Sequence, residues 1–518
     1  MKEIIPFFLV VFLFNSTVAF AQYGSLDPTF GDQGKVITHF GQYESDVRAL
    51  AIQPDGKIIA AGNVFDHSGY NQHGLARYNM DGSLDSTFGT NGKVIGDVLG
   101  LMLPLNSESV LLQTNGKIIG GIASTSFNAG LIRYNLNGTL DTSFGVGGIV
   151  MKDSVRFNSL AAQSDEKIIA AGFLFEGSNR NFGLVRYSKD GVLDTNFGTN
   201  GVVATSIGGK DFGHAVTLQS NGKIIVSGST SSDGGNSSDL AIVRYNTNGA
   251  LDTTFGTNGI VIIDIDDNDS ATHVKIQSDG KIVLTDYSYH QEPLYSFIIS
   301  TKLLRLESNG DLDTSFGING KVTAPFVGAL TIQSDGKIVV AGSYENAENY
   351  NDIALARYLI NGDLDVTFGS NGVVITSIGE STRSSASAVA LQSDGKIVVG
   401  GAKSEAFLSS HPHSVLLRYN SGVQLSNPEF SIQKNTFSVY PNPVNEMVNL
   451  DFNLKESEEL SIDLFNINGV KIANLIKGKT FQTGYHSQKL ELPETLSKGI
   501  YFLNISNGST ASNVKIVK

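Results

Sequence analysis

The chain has 518 residues and a formal net charge of −13, with 57 glycines and neither cysteine nor tryptophan. Its charged fraction of 17% is below the roughly 25% of ordinary soluble chains, which argues against long solvated helices and coiled coils. The lack of cysteine excludes disulfides, zinc–thiolate sites and a thiol nucleophile. The negative charge argues against a nucleic-acid partner and against general binding to anionic membranes.

The first segment has the order of a secretory signal. Lys2 precedes an apolar run over 4–14, and a more polar stretch then ends in the triplet A-F-A at 19–21. A basic end, a short apolar core and small residues before a cleavage site predict a signal peptide over residues 1–21. The alternative is a buried N-terminal helix. No later stretch approaches about 18 uninterrupted apolar residues, so we expect no transmembrane span.

Three sequence blocks then recur seven times each, with a mean spacing of about 56 residues. The first block, S-L-D-x-T-F-G-x-x-G, contains Asp27, Asp85, Asp141, Asp194, Asp252, Asp313 and Asp365. The second, Q-x-D/N-G-K-I, contains Lys57, Lys117, Lys167, Lys223, Lys281, Lys337 and Lys396, each four residues after a Gln. The third, L-x-R-Y or close to it, contains Arg77, Arg133, Arg186, Arg244, Arg305, Arg357 and Arg418.

One repeat predicts four short strands. In the first copy the β-prone segments are 47–53, 57–63, 74–79 and 93–95, and they are separated by turn signals such as P-D-G and N-G. Helical periodicity is absent from this region. Four strands in every repeat, with a turn at each reversal, are typical of a β-propeller blade.

The order of the blocks predicts a closed ring. The chain opens with an S-L-D block and the strand 35–37, whereas that block is missing after Arg418. The last blade therefore lacks a fourth strand that the N-terminus can supply, which would remove both open sheet edges. We predict an all-β, seven-bladed β-propeller over 22–425, closed by an N-terminal strand. The alternative is an open β-solenoid.

These blocks resemble the delta-60 repeat family, with seven copies over about residues 24–422. The S-L-D-x-T-F-G and D-G-K-I-x-x-A-G pieces that carry the resemblance recur in register. The resemblance implies a β-propeller and supplies no activity.

The repeated polar residues predict a structural contact. In six copies the Arg precedes the Asp by eight residues, as in Arg77 and Asp85. We interpret this interval as a charge-assisted Arg–Asp contact that pins the turn between the third and fourth strands. Ring closure would supply a seventh pair, Arg418 with Asp27. The alternative is a ring of ligand-binding arginines. The repeated Phe of the T-F-G block is predicted to fill the core between blades.

Ligand sites are expected where the repetition breaks. The tight turns of each blade fall on one face of the disc, here called the turn face, and the variable connections fall on the opposite loop face. Variable loops on a rigid scaffold commonly carry function, and tyrosines in them can stack on sugars or anchor a protein. The alternative is a set of ordinary surface loops. The candidate binding residues on the loop face are Tyr70, Tyr287, Tyr289, Tyr295, Tyr344 and Tyr350.

Metal and catalytic signals are sparse. The run D-I-D-D-N-D offers oxygen ligands for Ca²⁺, but it lacks the Gly and the terminal Glu of an EF-hand loop; the alternative is a solvated acidic loop. Its carboxylates are Asp264, Asp266, Asp267 and Asp269. His411 and His413 lack an identifiable third ligand. Apart from this calcium candidate no cofactor is predicted, and no catalytic residue is assigned, because nucleophile-elbow, zincin and Walker patterns are absent.

The C-terminal segment is a different unit. Residues 426–438 read as a linker, and short alternating strands over 439–518 predict a small Ig-like β-sandwich. Y-P-N-P-V, D-L-F-N-I-N-G, G-I-Y-F-L and a basic last strand resemble the type A C-terminal sorting domain of the type IX secretion system of Bacteroidetes. The resemblance implies transport across the outer membrane by that machinery, followed by release or attachment to the cell surface. The alternative is an ordinary Ig-like accessory domain.

These features predict a secreted or cell-surface-associated binding protein, with a glycan or protein ligand on the loop face. The alternative is an extracellular propeller enzyme that acts on polysaccharide, as a glycoside hydrolase or lyase at the channel mouth; the lack of a catalytic motif favours binding. A converging pair of carboxylates at the channel, not held by Arg, would favour the enzyme. An aromatic patch without such a pair would favour binding.

Deletion of residues 440–518 should leave a folded propeller in the periplasm, because the tail resembles a transport address and supplies no repeat block. Cell fractionation of full-length and truncated protein, with circular dichroism of each, checks this. Efficient release of the truncated chain outside the cell would contradict the sorting assignment.

Overall fold

The computed structural model describes most of the chain, and the predicted signal peptide lies outside the described residues. The described ranges are 23–40, 44–65, 71–96, 106–123, 128–231, 237–291, 297–326, 328–346, 350–379, 382–405, 412–422, 437–441, 443–444, 446–454, 457–466, 471–493, 496–497, 499–507 and 511–518. Within these ranges the secondary structure is β, and no helix is long and apolar enough to cross a membrane. The chain divides into two compact units, 1–423 and 424–518.

The first unit divides into seven antiparallel blades, numbered in chain order, and a parallel pair between Arg180 and Lys210 joins blades 3 and 4 in one eight-stranded sheet. Blade 1 contains β2 (Glu44–Ser45), β3 (Ala49–Ile52), β4 (Ile58–Phe65), β5 (Asn71–Tyr78) and β6 (Lys93–Gly96). Blade 2 contains β7 (Asn106–Leu112), β8 (Ile118–Ala123), β9 (Asn128–Tyr134) and β10 (Ile149–Asp153). Blade 3 contains β11 (Val155–Ala162), β12 (Ile168–Glu176), β13 (Asn179–Tyr187) and β14 (Val202–Thr205). Blade 4 contains β15 (Lys210–Leu218), β16 (Ile224–Ser231), β17 (Asp239–Tyr245) and β18 (Ile260–Ile263).

The remaining blades follow the same order. Blade 5 contains β19 (Asn268–Ile276), β20 (Ile282–Gln291), β21 (Phe297–Leu306) and β22 (Lys321–Thr323). Blade 6 contains β23 (Gly328–Ile332), β24 (Ile338–Glu345), β25 (Asn351–Tyr358) and β26 (Val373–Thr376). Blade 7 contains β27 (Thr382–Leu391), β28 (Ile397–Glu405), β29 (His413–Tyr419) and the N-terminal strand β1 (Lys35–Thr38).

The innermost strands form a closed cycle around the axis. Strand β3 contacts β7, and contacts continue in turn through β11, β15, β19, β23 and β27, which contacts β3 again. Strand β1 completes the sheet of blade 7 and so closes the ring. It pairs antiparallel with β29, so that Lys35 faces Leu417 and Thr38 faces Ser414. The prediction of a propeller closed by its N-terminal strand is confirmed, and the open solenoid is wrong.

The repeated Phe of each blade is completely buried and supports the repeated Arg. In every blade the guanidinium carbon of that Arg lies 4.4–4.6 Å from the ring centroid. A cation that is desolvated over an aromatic face is stabilised by the ring quadrupole. The seven rings, each with an exposed fraction of 0%, are Phe30, Phe88, Phe144, Phe197, Phe255, Phe316 and Phe368.

Each Arg also holds three parts of its own blade together through one carboxylate. Its Nε lies 2.6–3.0 Å from the Asp that follows in the fourth-strand turn. The Lys at the start of the second strand lies 2.6–3.3 Å from the same carboxylate. Arg418 and Asp27 make this contact at 2.8 Å across the ring closure. The three repeated blocks therefore meet at one charge cluster in every blade.

The same arginines link neighbouring blades. In each blade Nη1 of the Arg donates to a backbone carbonyl two residues after the third strand of the next blade, and the cycle closes from blade 7 to blade 1. The pairs are Arg77 with Leu136, Arg133 with Lys189, Arg186 with Thr247, Arg244 with Ser308, Arg305 with Ile360, Arg357 with Ser421, and Arg418 with Met80.

The C-terminal unit is a two-sheet sandwich with its own core. One sheet has the order β30 (Ser438–Tyr440), β31 (Met447–Leu454), β34 (Gly484–Glu491). The other has the order β33 (Lys471–Phe481), β32 (Glu458–Asn466), β35 (Ile500–Ser506), β36 (Ala511–Val517). Alternate residues of β31 and β32 point inward, and Leu450, Phe452, Ile462 and Leu464 pack in the core. Most of the predicted linker 426–438 lies outside the described residues.

Asp27→Asn should destabilise the propeller by about 3 kcal/mol, because it leaves Arg418 and Lys396 without their buried counter-charge. Urea denaturation of the full chain, followed by circular dichroism, measures the change. The control is Asp32→Asn, an exposed carboxylate in the same N-terminal segment, which should change stability by less than about 0.5 kcal/mol. Equal midpoints for the two variants would contradict the closure argument.

The Asp clusters also predict acid sensitivity. Burial alone would raise the pKa of Asp365, but hydrogen bonds from Thr367 and Lys337 outweigh it and lower that pKa from 3.8 to about 2. Because the unfolded carboxyl takes up its proton first, its stabilising contribution is complete above pH 3.8 and is lost as the pH falls towards 2. Asp365→Asn should therefore flatten the pH dependence of the unfolding free energy in this window by about 2 kcal/mol.

The exposed Asp363 of the same turn provides the control for this pH dependence. Asp363→Asn should retain the slope of the unaltered protein. A wild-type slope in Asp365→Asn would contradict the prediction.

Candidate functional site

A β-bulge on the inner strands produces the most distinctive site of the propeller. In blades 2, 3, 4, 5 and 7 the pairing of the first with the second strand shifts by one residue near the loop face. In blade 1 three residues, 46–48, face two residues of β4. Bulges re-aim a side chain at the expense of one ladder position. The residues involved are Arg48, Glu108, Asn158, His214, Thr272 and Ser387.

Each bulge residue stands five positions before the repeated Gln, and the equivalent residue of blade 6 is Gly328. Six of the residues at this position line one cavity of about 500 Å³ at the axis, on the loop-face side; the side chain of Glu108 lies outside the description. The cavity is lined by Arg48, Arg156, Asn158, Phe173, His214, Thr272, His273, Gly328, Ala329, Ala386 and Ser387. One variable position of the repeat thus supplies much of this axial cavity.

The axial cavity is not predicted from the sequence, although the repeats contain a signal for it. Aligning the repeats on Gln shows a position that changes chemistry from copy to copy, whereas the neighbouring Lys, Arg and Asp do not change. That comparison reveals variability, but it does not reveal that the position is a bulge. An inner strand of regular pleat would alternate its side chains between two faces, so the direction of this side chain was not predictable.

The axial cavity combines cationic and neutral polar groups. Arg48 and Arg156 carry positive charge, and the described lining contains no Asp or Glu. Burial lowers the pKa of His214 to about 4. Burial, together with the charge of Lys275 further along the same strand, lowers the pKa of His273 to about 4. Both imidazoles are therefore neutral at pH 7 and can each donate and accept a hydrogen bond.

A second cavity of about 370 Å³ adjoins the first and shares Arg48 with it. Its lining includes Arg383, Lys403 and Asn351, so that blades 1, 6 and 7 contribute to it. Among the described residues that line this second cavity, Asp46 is the single carboxylate, and it pairs with Arg48 at 2.7 Å. Together the two cavities form a polar bowl from the axis towards blade 7.

A third cavity, of about 670 Å³, lies on the turn face between blades 3 and 4. Its charged lining includes Lys167 and Arg186, which both contact Asp194 as members of the repeated cluster. Because those groups hold the blade together, they are not specific to this cavity.

The described loop-face tyrosines lie in two blades. Tyr70 and Tyr295 lie outside the described residues. Tyr287 and Tyr289 stand two residues apart on β20 of blade 5, with ring centroids 6.4 Å apart. In blade 6, Tyr344 is exposed on β24 and Tyr350 directly precedes β25. None of the described tyrosines is among the residues that line the axial cavity.

The predicted calcium residues have separate roles. Asp264 and Asp269 lie close to Asp239: one carboxylate oxygen of each of the three residues lies within 4.8 Å of the other two. Asp266 pairs with Lys302 at 2.7 Å, and the backbone carbonyl of Asp267 accepts from Ser238. The run therefore does not act as one ligand set.

Asp269 is already engaged by its own loop. It is completely buried and accepts the backbone amides of Ile265 and Asp266 at 2.6 and 3.1 Å. In blade 4 the equivalent Asp211 accepts the amides of Ile207 and Gly208 in the same way. Since blade 4 repeats this arrangement, the geometry fits loop closure better than a calcium ligand.

A buried carboxylate that the sequence analysis did not select lies beside it. Asp286 is completely buried, and the Ser288 hydroxyl lies against both Asp286 and Asp269. Burial, together with the nearby charge of Asp269, raises the pKa of Asp286 to about 6. These two carboxylates form a pair that Arg does not hold, but neither is accessible to a polymeric substrate.

The two histidines of the H-P-H segment do not form a described site. His411 lies outside the described residues, and the ring of His413 packs against His39 at 4.3 Å between centroids. A third ligand is not found among the described groups of metal-binding side chains.

The comparisons with known proteins agree with this architecture. A beta-propeller domain family of unknown function, DUF5122, matches seven segments: 53–88, 113–144, 163–197, 219–255, 297–316, 333–368 and 392–422. The matched segments fall one in each of the seven blades. The secretion system C-terminal sorting domain matches residues 438–518, so the DUF5122 propeller is followed by a sorting domain of the type IX system. That domain marks proteins exported to the cell surface or the extracellular space.

Solved structures match the chain at low sequence identity. The polysaccharide lyase Uly1 has 10% identity and a TM-score of 0.47, with 78% of this chain and 94% of that chain covered. An alpha-L-arabinanase of Penicillium chrysogenum has 10% identity and a TM-score of 0.36, with coverages of 78% and 99%. At these values the likeness carries no argument about activity. No curated protein matches the sequence.

Proposed function

We propose that this exported DUF5122 propeller is a binding protein and that the axial cavity on its loop face is the ligand site. The observation that carries the proposal is the bulge position. Every blade keeps the same Gln, Lys, Arg and Asp, whereas the residue five before Gln is Arg48, Glu108, Asn158, His214, Thr272, Gly328 or Ser387. Variation at an axial position on a repeated frame supports recognition rather than folding.

The chemistry of the cavity supports binding of a polar ligand. Asn158, Thr272 and Ser387 supply amide and hydroxyl groups, which donate and accept hydrogen bonds. The ring of Phe173 supplies one apolar surface in the same cavity. A concave site with a few convergent polar groups is the usual form of a ligand pocket.

The cavity gives no specific support to glycoside hydrolysis. Most glycosidases use two carboxyl groups on either side of the scissile bond, and the described lining of the axial cavity contains neither Asp nor Glu. Among the seven residues that stand five positions before the repeated Gln, Glu108 is the single carboxylate, and one carboxylate does not make such a pair. The unusual pair formed by Asp269 and Asp286 is completely buried. Binding is therefore the function that the geometry favours.

Filling the cavity should abolish binding without unfolding the ring. We would screen the full chain on glycan and protein arrays, identify the bound ligand, and then measure its affinity for Ser387→Trp, which places an indole in the cavity. Affinity should fall at least about tenfold, because a ligand and an indole cannot share this volume.

Val192→Trp provides the matched control, because Val192 is exposed on the turn face. It should bind like the unaltered protein. If Ser387→Trp retains full affinity while its circular dichroism is unchanged, the ligand binds elsewhere and the proposal is overturned.

A further inference from the structure

The arginines outside the repeat point to the chemical class of the ligand. The chain has eleven arginines, and seven of them belong to the repeated cluster. The other four are Arg48, Arg156, Arg180 and Arg383. Each stands near the loop-face end of a strand, so that every arginine without a role in the repeated cluster lies on the face of the proposed site.

These four side chains belong to three blades and lie at or beside the two cavities. Arg48 and Arg156 line the axial cavity, and Arg48 and Arg383 line the adjoining one. Arg180 lies 5.9 Å from the ring of Phe173, which lines the axial cavity, and 5.1 Å from the ring of Phe212. The positive charges are thus spread over blades 1, 3 and 7 rather than gathered at one point.

Cations outnumber carboxylates in the bowl. Asp46 is the carboxylate among the described lining residues of the two cavities, and it pairs with Arg48. Glu108 adds a second carboxylate at the bulge position of blade 2, with its side chain outside the description. Against these two stand three arginines and Lys403 in the described lining. A chain with a net charge of −13 therefore presents a locally cationic bowl, which attracts anions that the rest of its surface repels.

We propose that the bowl binds an acidic polysaccharide, with arginine guanidinium groups on its carboxylate or sulfate groups. Guanidinium forks match both anions through paired N–H donors. The cations are separated by the width of the bowl. A polymer with repeated charges can therefore contact several of them at once, whereas one small anion cannot. The amide and hydroxyl groups of Asn158, Thr272 and Ser387 between them suit a ligand rich in hydroxyl groups. This inference rests on the proposed function, since it uses the same cavity.

The test measures binding of the full chain to alginate, dextran sulfate, neutral dextran and poly-glutamate by biolayer interferometry. Alginate carries carboxylates and dextran sulfate carries sulfates, so the two probes separate the two anion sources. At least one of them should bind, and affinity should fall steeply between about 50 and 200 mM salt, as expected when several charges are neutralised together. Neutral dextran should not bind.

Arg156→Gln and Arg383→Gln should each weaken binding of the acidic probe about tenfold, as expected for loss of a charge-assisted contact. The matched control is Lys189→Gln, which removes one exposed cation from the turn face and should leave affinity unchanged within about twofold. Circular dichroism of each variant verifies the fold.

Three results would overturn the inference. Equal weakening by Lys189→Gln would mean that binding follows overall charge. Poly-glutamate binding as tightly as the acidic glycans would mean that the bowl recognises acidic polypeptide. Failure of both acidic glycans, while an array ligand is still lost in Ser387→Trp, would refute the anionic class and leave the binding function intact.

Discussion

The buried arginine of each blade is the contact on which the rest of this propeller depends. Its guanidinium lies on the repeated Phe, donates to the repeated Asp through Nε, and reaches a carbonyl of the next blade through Nη1. A buried guanidinium is costly unless its donors are satisfied. The Asp, the Lys of the second strand and the neighbouring turn are consequently fixed together, and this explains why three distant sequence blocks recur as one set.

That requirement also determines where variation is tolerated. The turn face carries the charge clusters and the links between blades, so a substitution within one of those clusters affects the ring as a whole. In six blades the inner strand carries an extra residue that takes no part in the repeated charge cluster, and Gly328 has the equivalent position in blade 6. The seven copies differ in chemistry at this position, from the cation Arg48 through Glu108 to Gly328. A frame held together on one face thus leaves the opposite face to provide a site.

The acidic residues of blades 4 and 5 illustrate how context changes the meaning of a motif. The D-I-D-D-N-D run has the composition of a calcium loop, but Asp269 closes its own loop through backbone amides, and Asp211 does the same in blade 4, where no such acidic run is present. Burial beside Asp269 also perturbs the titration of Asp286, which no motif marks. The titration and the contacts of these carboxylates therefore depend on which groups lie beside them in the fold, and not on how close they stand in the sequence.

The sequence by itself determined the repeat, the number of blades, the ring-closing strand and the sorting tail. Each of these depends on local patterning or on a block that is missing at one end and present at the other. The axial cavity was decided by tertiary structure, because a one-residue bulge directs Asn158 or His214 towards the axis and regular alternation does not encode it. The placement of Arg48, Arg156 and Arg383 around one bowl was likewise undetermined, since they are separated by up to 335 positions in the chain (383 − 48) and line the two cavities only after the ring has closed.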